Sequence, residues 1–350
     1  MTTAQAVFFP LDQQLELGEG AWSAGVEREA VWLSGAVSSF ALVEEVLQRG
    51  GRIEISRSSI WRCTQAVGAK FQAIEGVARL RANALPEQWA PAKRAARLRP
   101  RMGVAMDGAT VNIRSEGWKE MKLASLFDIA LGAHKDKETG ELVDLAHAVH
   151  SSYVAHLGGP EILGEMAWAE AQQRGWEEAQ ATQVLGDGAV WIWNQAALHF
   201  ADSHQLVDWY HAKQHLTEAA RLCKGEGTSS CRRWLNQRET LLYQGHAARI
   251  ATELEQAAQT QSSHADALAR EATYFRHNQL RMNYLEMRED EWPIGSGMIE
   301  SGAKQFKARF CGPGMRWSRT GAENLLPIRS AILSRRFDQI WAAAQTLPPS

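Results

Sequence analysis

The chain has 350 residues, 45% of them hydrophobic and 22% charged, with a formal net charge of −2. That size allows two or three domains with a sizeable core, while near-neutrality by itself announces no polyanion partner, which usually goes with a basic domain. No apolar run reaches the roughly 18 residues of a membrane span, and the start, MTTAQAVFFPLDQQ, is too soon broken by Pro10 for a leader, so a cytoplasmic protein is expected.

Residues 1 to 30 are weakly patterned. SSFALVEEVLQR then reads as a short helix stopped by Gly50 and Gly51, and Ser56 is placed to cap a second helix through about Phe71. In the second helix Ile60, Thr64, Val67 and Phe71 make an inner face. Arg57, Arg62, Gln65 and Lys70 fall largely elsewhere. This fits a helix-turn-helix over about 37–71 whose second helix enters a major groove, although any helical hairpin shares the pattern.

Pro86, Pro91 and Pro100 mark a linker over 86–101, after an amino-terminal helical region 1–85. From Lys93 to Arg101 it holds five bases, Lys93, Arg94 and Arg97 among them, and no acid, as suits a segment lying along phosphates.

Beyond the linker the period changes. GVAMD (103–107), KEMKLASLFDIA and AHAVHSSYVAHL read as strands, Pro160 opens a helix that Gly175 closes, and TQVLGD (182–187) is a further apolar strand before a helix-like AVWIWNQAALHF. HQLVDWYHAKQHL runs from strand into helix. The chain is then helical to Glu291, with a capping box expected from Ser263 and Asp266. Residues 102–215 thus form the first part of an α/β domain, 216–291 a helical insertion, and 292–350 a returning helix with a basic tail.

Two strands are expected to end alike, at Asp107-Gly108 and Asp187-Gly188, where open α/β sheets place ligands. The third acid is Glu300, inside WPIGSGMIESGAKQFKARFCGPGMRWSR. From Ser301 to Arg336 only Glu323 opposes eight bases, including Lys304, Lys307, Arg309, Arg316 and Arg319. Three carboxylates beside phosphate-binding bases suit two-metal phosphodiester chemistry, in which ions about 4 Å apart serve the attacking and leaving oxygens. Asp107 is then expected to bridge two Mg²⁺ (or Mn²⁺) ions, with Asp187 and Glu300 completing one side each. The same spacing also fits two turn aspartates and a helix first-turn acid. Cys63, Cys223, Cys231 and Cys311 form no CxxC pair, which argues against a zinc knuckle or a disulfide framework and for reduced structural thiols.

The segments MDGATVNIR with WKEMKL, VLGDGAVWIWN, LVDWYHAKQHL, WPIGSGMIESGAKQFKARF and GMRWSRTGAENLLPIR, taken in order, resemble the ISKra-type bacterial insertion-sequence transposases of the DDE superfamily, and more distantly Mutator-like transposases. The resemblance runs from about Phe40 to Arg336. It implies a ribonuclease-H-like mixed sheet interrupted by an all-α insertion. It also implies an acidic triad of Asp107, Asp187 and Glu300, with Asp208 and His211 as an accessory D-x-x-H pair near the scissile strand. The implied activity is metal-dependent cleavage at transposon ends in double-stranded DNA and transfer of the freed 3′-hydroxyl into target DNA by a homo-oligomer. Lys304, Lys307, Arg309, Arg316 and Arg319 would hold phosphates, and Trp317 or Trp292 would stack on a frayed base or pack in the core. A silent repressor derived from a transposase and a structure-selective nuclease are the alternatives.

Overall fold

The computed structural model describes residues 22–84, 100–135, 142–260 and 263–347. Lys93, Arg94 and Arg97, with most of the basic linker, lie outside them. Among the described residues the chain forms a mixed α/β structure of five strands and thirteen α-helices. It divides into two compact units. The terminal unit comprises Met1–Val77, Thr110–Lys119 and Gln305–Ser350, and the central unit Ala78–Ala109 and Glu120–Lys304.

The sheet has the order β3-β2-β1-β4-β5, with β1 Met102–Ile113, β2 Gly117–Lys135, β3 Leu142–Leu157, β4 Thr182–Gly186 and β5 His204–Val207. β2 and β3 are antiparallel, whereas β1, β4 and β5 run parallel. Gln183 to Gly186 of β4 and Leu206 and Val207 of β5 are buried, as expected where both faces of the parallel strands are covered, while β5 starts at an exposed His204. β1 does not stop at Asp107 as the sequence suggested. Its parallel pairing ends early, but Ala109, Val111 and Ile113 go on being buried in alternation, and a three-residue turn over 114–116, with Ser115 at positive φ, leads into β2, whose first residue, Gly117, is also at positive φ.

The terminal unit contains α1 Ala24–Ala36, α2 Phe40–Gly51, most of α3 Arg57–Ala82, the end of α11 Gly297–Phe310, α12 Arg319–Leu333 and α13 Phe337–Gln345. Ser39 caps α2 by accepting the Leu42 N–H, and α2 runs through both glycines, so the left-handed closing residue is Arg52 at φ 52°. Val43, Leu47, Ile55 and Ile60 share a core with Ala30 of α1, a helix the weak patterning before residue 30 did not announce. Ile60, Thr64, Val67 and Phe71 are buried as expected, but α3 meets no breaker after Phe71 and reaches Ala82.

In the central unit α4 Pro160–Gln173 and α5 Val190–His199 follow β3 and β4. α6 Trp209–Lys224 follows β5, and α7 Ser229–Tyr243, α8 Ala247–Thr260, α9 Ala265–Asn278 and α10 Tyr284–Glu289 precede α11. The Ser263 capping box does not form: the N-cap of α9 is His264, without a side-chain bond, which puts Asp266 one position short of where a box needs it. Packing outweighs that loss. Ile250, Leu254, Leu268 and Phe275 are fully buried where α8 and α9 meet, each worth about 2 kcal/mol against about 1 kcal/mol for a cap.

Candidate active site

The parallel ladders align the acids. β1 pairs with β4 up to Ala105↔Leu185, and β4 with β5 up to Gly186↔Val207. Continued by two residues and by one, these registers set Asp107, Asp187 and Asp208 on one level across three neighbouring strands. Adjacent strands lie about 4.8 Å apart, so three carboxylates leave one edge of the sheet side by side.

Local backbone bonding fixes each of them. Asp107 Oδ1 accepts the Gly108 N–H at 2.7 Å, and Asp187 Oδ1 accepts the Ala189 N–H at 2.8 Å. Gly188 turns the chain at φ 103°, and a Cβ there would meet the Tyr274 ring at 2.7 Å, so glycine is required both by conformation and by space. Asp208 is the N-cap of α6 and is 0% exposed. Its Oδ1 accepts the His211 N–H at 2.8 Å and lies 3.2 Å from His211 Nδ1, while its Oδ2 accepts the Ser296 N–H.

Burial pushes the Asp208 carboxyl up, but hydrogen bonds from the His211 side chain and from the backbone of His211 and Ser296 outweigh it and leave the group below its ordinary value. His211 moves the other way. Its hydrogen bond to Asp208 raises it against the effect of burial, and the charges of Asp208, Asp187 and Asp107 add to the rise. The aspartates therefore favour the protonated ring more than water does.

Glu300 enters from α11, in its first turn, where a carboxylate is favoured by the helix dipole. Among the described residues the group of three or more His, Cys, Asp or Glu side chains whose ligand atoms all lie within 4.8 Å of one another is Asp208, His211 and Glu300. Asp107 and Asp187 are outside that group, although both act electrostatically on His211. The two carboxylates of the set suit a hard divalent ion and not a thiophilic one, while the His211 ring, bonded to Asp208 through Nδ1 and favoured in its protonated form, is not counted as a ligand. The expected triad and accessory pair thus lie on one edge of the central unit, with Glu300 gathered to the accessory pair.

The bases divide by location. Lys304 is exposed, one helical turn beyond Glu300; Lys307 and Arg316 are exposed in the terminal unit. Arg309 is not at the surface: it is 2% exposed, donates to the Ser34 carbonyl, and lies 5.1 Å from the Phe40 ring and 4.9 Å from the Trp317 ring. Trp317 is buried with it and donates to the Phe310 carbonyl at 2.9 Å. Arg319 pairs with Glu116 and Glu323. On α3, Arg57 pairs with Glu44, Arg62 is exposed beside Ser59, Lys70 is half-buried, and Gln65 accepts from the Asn324 amide at 2.9 Å. Trp292 is 2% exposed and packs against His204 and the Arg101 guanidinium.

Three supporting residues escaped the sequence reading. The Tyr274 hydroxyl donates to the Asp187 carbonyl at 2.9 Å, and the Asn278 amide donates to the Gly188 carbonyl at 3.4 Å, so α9 braces the turn behind Asp187. Burial raises the Tyr274 phenol, and the charges of Asp187, Asp208 and Glu271 raise it further, which keeps it a donor. Ser296 is the third, through its N–H to Asp208. The links to Tyr274 and Ser296 join residues 87 and 88 apart, beyond any local spacing rule.

No helix among the described residues is long and apolar enough to cross a membrane. The chain matches no protein-family model and no curated protein.

Proposed function

We propose that this chain is a metal-dependent DDE transposase of ribonuclease-H-like fold that cuts transposon ends in double-stranded DNA and joins the freed 3′-hydroxyl to target DNA. The observation that carries the reading is that Asp107, Asp187 and Asp208 follow directly on the paired stretches of three neighbouring parallel strands, with Glu300 gathered to Asp208 and His211. The sheet is compatible with it: five strands in the order β3-β2-β1-β4-β5, antiparallel at β2-β3 and parallel at β1-β4-β5, make a mixed sheet of the general kind the resemblance implies.

On this reading Asp107, Asp187 and Glu300 would hold two Mg²⁺ or Mn²⁺ ions. Bound there, the ions supply activation of the attacking oxygen and stabilisation of the leaving one. Asp208 orients His211 through Nδ1 and favours its protonated form, in which the ring would offset the aspartates and offer a proton-bearing edge to the substrate. Lys304, on the same helix as Glu300, faces solvent where a phosphate oxygen would approach. No covalent enzyme intermediate is needed. Two ends must be processed together, so a dimer or larger assembly on DNA is part of the proposal, as is a cytoplasmic place of action.

The test is nicking of duplexes taken from the DNA on either side of the gene, where a transposase's inverted-repeat ends would lie. Wild type should nick them with Mg²⁺ or Mn²⁺, and Asp187→Asn should lose on the order of 10³-fold, since a metal clamp is worth several kcal/mol of transition-state stabilisation. Equal rates would remove the assignment. Cleavage without preference for the end sequence would point to a structure-selective nuclease, and specific binding with no nicking at any metal concentration to a repressor.

A further inference from the structure

Within the terminal unit, the residues before α2 and before α12 line a cleft of about 380 Å³. Its lining is cationic and aromatic. Arg114 and Arg316 are exposed on it, Trp61 lies 41% exposed along it, and Phe40, Arg309 and Trp317 also contribute. Among the described residues no carboxylate lines it. Ser39 and Ser318, the N-caps of α2 and α12, both border it, so two helix amino-termini add positive potential at the same place.

The deepest part of the lining is the least satisfied. Arg309 is almost wholly buried, and its Nη2 has no hydrogen-bond partner although Nε and Nη1 reach the Ser34 and Ser38 carbonyls. Among the described residues of the terminal unit the buried charges are Arg309 and Arg329, and no buried carboxylate offsets them. Burial and the charge of Arg329 push the Arg309 guanidinium down to about 10. A buried cation without a counter-ion is costly, and an anion placed in this cleft would relieve it.

We infer that the cleft is a nucleotide-binding site that takes one unstacked nucleotide of a DNA strand, with the phosphate on Arg114, Arg316 and the helix ends and the base on the face of Trp61. A phosphate alone needs no exposed indole, and an apolar ligand needs no arginines; a nucleotide uses both. The choice of DNA as the source rests on the proposed function. The site itself rests on the terminal unit alone.

Fluorescence anisotropy with the full chain tests this, in chelator and in an Asp187→Asn background so that no cleavage intervenes. The probes are a single-stranded oligothymidylate and an abasic strand of equal length. The base-bearing strand should bind on the order of tenfold tighter. Trp61→Ala, at an exposed position, should erase that preference. Arg114→Ala and Arg316→Ala should weaken both strands, each reducing the salt slope by about 1. Displacement of the oligonucleotide by its own competitor but not by thymidine monophosphate identifies a strand as the source; displacement by the monophosphate identifies a free nucleotide. Equal binding of the two strands, or a preference that survives Trp61→Ala, overturns the site. Absence of end nicking with a Trp61-dependent preference intact would sink the transposase reading and leave the cleft standing, and the converse result would sink the cleft alone.

Discussion

Asp208 and Ser296 are bonded directly, the Ser296 N–H donating to Asp208 Oδ2, so the segment leading into the helix of Glu300 is fastened to the end of β5 across 88 residues. The same carboxylate caps α6 through the His211 N–H. With Asp208 fully buried, an asparagine can keep the cap, but its amide then faces the Ser296 N–H donor to donor. Asp208→Asn should therefore destabilise the protein by about 2 kcal/mol, the range for a charge-assisted bond lost inside a protein. Urea unfolding at neutral pH measures it. A midpoint equal to that of wild type would mean that the bond fastens nothing.

Cation binding can be read without any DNA. If Asp187 and Glu300 hold divalent ions, the folded state gains about 2.7 kcal/mol at a hundredfold excess over Kd, and the thermal midpoint rises with added Mg²⁺. Asp187→Asn and Glu300→Gln should keep the midpoint of the metal-free protein and lose the rise. Calcium or magnesium raising all three proteins alike would show that the ions bind elsewhere.

The terminal unit is held by close backbone approach. A Cβ on Gly68 of α3 would lie 2.1 Å from the Asn324 carbonyl oxygen of α12, and that neighbour is backbone, not a side chain that can swing away. Gly68→Ala should cost about 1 to 3 kcal/mol as overpacking, although alanine is the better helix former by about 1 kcal/mol. Gly76→Ala on the same helix is the control, since nothing lies within 4 Å of its added Cβ, and it should be neutral or slightly stabilising. Chemical denaturation that ranks the two the other way would remove the close contact from the account of the unit.

What the sequence made legible follows from local rules. Asp107 and Asp187 stood out because each precedes a glycine after a short apolar run, and each follows by two residues the last pair of the β1–β4 ladder, Ala105↔Leu185. The buried stripe of α3 was legible because four apolar or small side chains kept helical spacing. α1 was not, because it buries Ala30, Val31, Ser34 and Gly35, residues too small to give a strong apolar period. Arg309 was read as a surface clamp because it sits in a run of bases. Yet Ala303, Phe306 and Phe310 are buried at the spacing of one helix face, and Arg309 lies on that face while Lys304 and Lys307 do not. Charge counting loses that distinction and helical spacing keeps it. The contacts of Tyr274 and Ser296 depend on how α9 and α11 return to the sheet, which no residue near Asp187 or Asp208 encodes.

Acid should loosen the central unit through His199. This residue ends α5, half-buried, with Nε2 buried and without a hydrogen-bond partner. Burial lowers its affinity for a proton, and the nearby charge of Glu165 offsets this only in part. The folded-state value is therefore below the ordinary 6.5, so between the two values the unfolded chain binds the proton that the folded chain refuses. The stability His199 contributes is fully present above about pH 6.5 and is lost as the pH falls toward the folded-state value. His211, shifted upward, works in the opposite window: its contribution is present below its ordinary value and fades as the pH rises through the folded one. Comparing His199→Gln with wild type by urea unfolding at about pH 7.5 and about pH 5.5 isolates the first effect. Wild type should lose more stability than the variant on acidification. Parallel losses in the two proteins would show that His199 is not the group that titrates.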